Sequence, residues 1–184
     1  MPEMTIPVLK PNVTQQEAVR VFSSGGPAGW YWSMRSGPLQ RIANVCVPFY
    51  LFRVRYQLNR TKVQRWFALD AVKGSLDLFE FAHPPSPEAL ETIETRNFLE
   101  TLLPDEEATA RVREKALRVI FQQGFFKLRS RQIEIERESS VFYMPYWLGF
   151  YGGRGPVRCR VMDAVRRRVE GAKAAAFFEQ WLAA

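Results

Sequence analysis

The chain has 184 residues, 47% of them apolar and 14% aromatic, enough to bury a core and too many for a globally disordered polymer. Lys and Arg number 26 against 19 Asp and Glu, a net charge of +7 that favours anionic partners such as nucleic acid or a phospholipid surface. Cys46, His83 and Cys159 are the only soft metal-ligand side chains; this excludes a zinc finger or four-cysteine cluster, and neither a metal nor a cofactor is expected.

Met1 to Lys10 holds no apolar run of signal-peptide length, and no uncharged stretch reaches the ~20 residues that cross a bilayer as a helix, so a soluble, cytoplasmic protein is expected. Asn12 or Thr14 caps a helix running to about Phe22, with Glu17 completing a capping box, and Ser23-Ser24-Gly25-Gly26-Pro27 ends it. Strands are expected at Arg41–Cys46, Phe49–Leu58, Val63–Ala71 and Leu76–Phe81. Alternation in Phe52-Arg53-Val54-Arg55-Tyr56 sets an apolar face against a wet face of Arg53 and Arg55. His83-Pro84-Pro85-Ser86-Pro87 closes this part.

Helices are expected over Pro87–Leu102 and Asp105–Gln123, the second with Ala108, Val112, Ala116, Val119 and Ile120 on one face. Strands resume near Phe125–Glu136, Phe142–Tyr151, Val157–Ala164 and Arg168–Glu170. A helix over Ala172–Leu182 presents Ala176, Phe177 and Trp181 to the core.

A repeat runs through this pattern. Val47-Pro48-Phe49-Tyr50-Leu51 answers Met144-Pro145-Tyr146-Trp147-Leu148, and Leu69-Asp70-Ala71-Val72 answers Met162-Asp163-Ala164-Val165. Proline and aspartate lie 22 positions apart in the first case and 18 in the second, a difference that one hairpin loop absorbs. Charge follows the same division: residues 1–83 carry net +5, 84–124 net −3 and 125–184 net +5. The expected fold is α+β, with two similar α–βββ(β) halves, 1–83 and 125–184, built on antiparallel sheets. Internal duplication relates the halves, and an acidic helical connector, 84–124, joins them.

Asp70 and Asp163 invite a catalytic reading, because carboxylates from symmetric halves can share a proton or a metal. The plainer role is a turn cap, with Gly74 supplying a positive φ; Arg167 stands in its place in the second copy, so the turns need not match. His83 lies on a proline-rich linker without a placed nucleophile. Gly25–Gly29 and Gly152–Gly155 fit neither phosphate-loop fingerprint and read as turns. Cys46 and Cys159 read as buried apolar side chains, with a disulfide between them as the alternative.

The binding candidates are Trp30, Trp32, Arg53, Arg55, Arg65, Tyr146, Trp147, Arg158 and Arg160, from aromatic clusters and basic strands. The first expectation for function is a non-catalytic binding or assembly module whose basic, aromatic β surfaces engage a protein partner or a second copy. Single-stranded nucleic acid, held by phosphate contacts and stacking, is the second. An enzyme acting at the junction of the halves through Asp70 and Asp163 is the third, and membrane-surface association accounts for the remainder.

Overall fold

Pro48 and Pro145 each lie inside one long strand rather than between two. The computed structural model describes residues 3–23, 34, 37–58, 61–122, 133–152 and 158–183. Within them the expected Arg41–Cys46 and Phe49–Leu58 run together as β2, Leu39–Leu58, and the segment through Pro145 forms β6, Ile133–Tyr151. The two pair antiparallel from Leu39–Tyr151 to Tyr56–Ile133. Hairpin partners flank this ribbon: β3, Thr61–Asp70, on β2 and β7, Arg158–Asp163, on β6.

Each proline sits where its flanking strand ends. The Pro48 carbonyl accepts from Ala71 N–H at 2.8 Å, and the Pro145 carbonyl from Ala164 N–H at 3.1 Å. In a strand the N–H and C=O of one residue face the same neighbour, so the donor that proline lacks is missing only where β3 and β7 turn away.

Among the described residues the remaining elements complete an α+β architecture with three helices and an eight-stranded, curled, mostly antiparallel sheet. They are β1, Met4–Leu9; α1, Gln15–Ser23; β4, Phe79–Phe81; β5, Leu90–Thr95; α2, Asp105–Gln122; β8, Arg168–Val169; and α3, Ala172–Ala183. The capping box forms: Thr14 N–H donates to Glu17 Oε2 at 2.8 Å and Glu17 N–H to Thr14 Oγ1 at 3.3 Å. In α2 the buried residues are Ala108, Val112, Ala116 and Ile120, with Val119 only half-buried.

Three expectations are corrected. Pro87–Leu102 is not a helix: one 3₁₀ turn at Pro87–Ala89 leads into β5, because Thr92, Ile93 and Thr95 are β-branched and β1 offers a full-length antiparallel partner. The Leu76–Phe81 strand shrinks to β4, since the three residues before it belong to the turn after β3. In α3 it is Ala174, Phe177 and Phe178 that are buried; Ala176 is exposed and Trp181 partly so.

The β1–β5 pair is fastened to both outer edges of the ribbon. Val8 pairs with Tyr143 of β6, and on the other side Cys46 N–H donates to the Asn97 carbonyl at 2.8 Å while Leu99 N–H donates to Cys46 at 2.9 Å. Ile6, Val8, Cys46, Phe98 and Tyr143 fill the space enclosed. On the same face α2 packs over β2 and β3, burying Val112 and Ile120 against Phe52 and Phe67, while α1 packs over β6 and β7, burying Phe22 against Tyr151 and Met162. The opposite face holds the largest core and is covered by α3.

Among the described residues the order β-α-β-β-β occurs in 4–81 and again in 90–169, and matching bonds recur in both. Asn12 N–H donates to the Ala164 carbonyl at 2.8 Å and Leu102 N–H to that of Ala71 at 2.9 Å. Trp147 Nε1 donates to the Val13 carbonyl, and Tyr50 Oη to that of Leu103, both at 3.0 Å. In each pair the helix-bearing segment of one stretch is tied to the hairpin of the other.

Candidate functional site

Asp70 and Asp163 end β3 and β7 and are fully buried. Asp70 Oδ1 accepts from the amides of Lys73 and Gly74, both at 2.9 Å, and Oδ2 from Leu76 N–H at 2.7 Å. Asp163 Oδ1 accepts from the amides of Val165 and Arg166 at 2.8 Å, and Oδ2 from Arg166 Nε at 2.6 Å. Both turns pass through the left-handed region, Gly74 at φ +58° and Arg167 at φ +56°. The Arg167 Nε bond to the Asn12 carbonyl, at 2.7 Å, ties down the side chain of this strained residue. Each carboxylate is committed to holding its own turn together, as an Asp turn cap does.

The open surface lies at the other end of the ribbon, on the face that carries α3. Period 2 puts Arg53 and Arg55 there, each facing a glutamate across the strands: Arg53–Glu136 at 2.7 Å, Arg55–Glu136 at 3.3 Å and Arg55–Glu134 at 3.4 Å. Arg53 also lies 5.7 Å over the ring of Trp66. Next to this ladder is a cleft of about 480 Å³ lined by Arg55, Tyr56, Gln57, Lys62, Gln64 and Glu134. The Tyr56 hydroxyl is buried, and burial pushes its pKa up against the opposing effect of the nearby Arg65.

The outer edge of β3 borders the cleft. β4 pairs only with Trp66 to Ala68, so among the described residues no strand covers the edge of Thr61 to Arg65. In the uninterrupted β2–β3 register, Ala71 donates toward β2; alternation therefore turns the backbone N–H and C=O of Lys62 and Gln64 outward.

The other binding candidates do not gather there. Arg65, on the opposite face, pairs with Glu80 at 3.0 Å. Tyr146 is in the core, Trp147 lies under the Val13 carbonyl, Arg158 is exposed at the start of β7, and Arg160 packs 5.7 Å from the Phe22 ring. Trp30 and Trp32 fall outside the described residues, as do Gly25–Gly29 and most of the second glycine-rich turn. Gln57, Gln64 and Trp66 are additions that composition alone does not single out; counting alternate positions back from Arg55 across the hairpin is the signal that finds them.

Cys46 and Cys159 are buried and not bonded to each other, and burial pushes both thiols up to about 12. Among the described residues no group of three or more His, Cys, Asp and Glu side chains is placed to hold a metal ion, and no helix is long and apolar enough to cross a membrane. Comparison with protein-family models, with curated proteins and with solved structures gave no match.

Proposed function

We propose that the chain is a non-catalytic binding module that takes an extended segment of a protein partner as an added strand on β3. The observation that carries this is the uncovered Thr61–Arg65 edge beside the 480 Å³ cleft. Main-chain groups of Lys62 and Gln64 supply the ladder, and the side chains of these two residues, which lie next to the incoming strand on the face that lines the cleft, read its alternate residues. Pairing of Arg53 and Arg55 with glutamates leaves little unopposed charge for phosphates, so a protein segment suits this surface better than single-stranded nucleic acid.

The recurrent bonds support a second part of this reading, that residues 4–81 and 90–169 descend from one duplicated β-α-β-β-β unit. The acidic stretch 84–124 is then the opening of the second copy, contributing β5 and α2, rather than a connector.

The test is a set of extended peptides selected against the protein from a displayed random library. Binding is expected to protect the Lys62 and Gln64 amides from hydrogen exchange. Gln64→Pro removes the outward N–H while sparing the bonds to β2, and is expected to abolish binding without lowering the melting temperature. Peptides that bind this variant as well as the parent, or a library that yields none, would overturn the proposal; oligonucleotide binding that fades with salt would favour the nucleic-acid reading.

A further inference from the structure

Residues from both aspartate turns line a second, more enclosed cavity of about 150 Å³, together with Tyr146 and the first turn of α3. The hydrogen-bond inventory around it is lopsided. Its carboxylates are mostly engaged: Glu170 receives Arg168 Nε at 3.2 Å and Nη2 at 3.0 Å as well as Arg166 Nη2 at 3.4 Å, and one oxygen of the exposed Asp77 receives Lys173 Nζ at 3.4 Å. The oxygens of Asp163 are filled by two amides and by Arg166 Nε.

Donors are left over. Tyr146 is 1% exposed and lines the cavity, and its hydroxyl has no hydrogen-bond partner among the described residues. Burial, with the nearby Asp163 charge, pushes its pKa well up, so the oxygen keeps its proton. The position of Tyr146 beside Asp163 is matched on β2 by Phe49 beside Asp70, so the fold does not itself require a hydroxyl here. The Ala172 and Lys173 amides open α3 ahead of the first amide bonded to Gly171, that of Ala174, and carry the positive end of the helix. Arg166 is held in place by Asp163 and lies 4.8 Å over the Phe79 ring.

We infer that this cavity binds a compact oxyanion, of the size of inorganic phosphate or a short carboxylate, which accepts from the Tyr146 hydroxyl, Arg166 and the first-turn amides of α3. At roughly 30 Å³ per water-sized group, the volume admits about five heavy atoms. The site is independent of the β3 edge, and its test does not depend on the peptide result.

The experiment is calorimetric titration of the intact protein with inorganic phosphate and, separately, with acetate, at low ionic strength. Saturable one-to-one binding of at least one anion is expected. Tyr146→Phe is expected to weaken it tenfold or more while leaving the unfolding midpoint unchanged or raised, and Lys173→Ala, at an exposed position, to weaken it several-fold. Lys62→Ala, in the cleft by β3, is expected to leave it unchanged. Absence of saturable binding, or equal binding by Tyr146→Phe and Lys173→Ala, would overturn the assignment. A preference for phosphate over acetate, or the reverse, identifies the geometry of the oxyanion.

Discussion

The Asp70 carboxylate accepts from three backbone amides, so its removal takes a partner from each and leaves the buried Leu76 amide stranded, while Gly74 keeps its bond to the Asp70 carbonyl. Asp70→Ala is expected to cost about 3 kcal/mol or more in chemical denaturation, and Asp70→Asn, which keeps one equivalent oxygen, about half as much. Asp163→Ala leaves the Arg166 guanidinium without its closest counter-charge, and about 3–5 kcal/mol is expected. A stability unchanged by either alanine would return these carboxylates to the list of catalytic candidates. The cysteines give a pH signature. Their folded pKa of about 12 lies above the roughly 8.5 of an unfolded thiol, so deprotonation favours the unfolded chain. The stabilisation they confer is complete below about pH 8.5 and is lost as pH rises toward 12. Denaturation midpoints at pH 8 and pH 10 should therefore fall less in Cys159→Ala than in the parent, and neither thiol should react with a thiol reagent at pH 8 until denaturant is added.

Gly149 shows how a helix and a strand divide the space between them. A Cβ there would come within 2.8 Å of the Phe22 ring, so α1 supplies the bulk and β6 supplies the gap. Under α2 the division is reversed, with Phe52 on β2 and Val112 on the helix in one buried cluster. Gly149→Ala is expected to destabilise by about 1–3 kcal/mol, and pairing it with Phe22→Val to recover part of that loss in a double-mutant cycle. Elements of this kind were unevenly legible. The capping box, the α2 stripe and the Arg53–Arg55 alternation announce themselves because each is a local pattern with one geometric solution. β5 does not: Glu-rich Leu90–Thr95 reads as helix until β1 is known to lie beside it, and β1 itself hides behind Pro7. Long prolines-within-strands are equally opaque, because tolerance of Pro48 depends on where β3 ends. Of the candidate site, the charges could be read from the chain; the uncovered edge of β3 could not, since it exists only through the shortness of β4.

For the whole molecule the crosswise packing has a direct test. The α1 segment packs on β6 and β7 as well as on β2 of its own stretch, α2 packs on β2 and β3 as well as on β6 of its own, and the covalent link between the two stretches runs through the proline-rich residues 82–89. Cutting there should leave fragments 1–84 and 85–184 that are each unfolded alone, because each lacks its covering helix and its ribbon partner. Mixed, they should reconstitute one cooperative thermal transition; a fragment 1–84 that melts cooperatively on its own would contradict the interlocked arrangement.

That interlock also bears on birth at the ribosome. When β2 and β3 have emerged, Phe52, Phe67 and Leu69 have nothing to shelter them until α2 and then β6 are made, roughly 35 to 80 residues later. At about 5–20 residues per second this is a window of several seconds in which a nascent chain shows a bare aromatic sheet. Synthesis without a holding chaperone should lower the soluble yield, and slowing translation over 85–150 should lower it further.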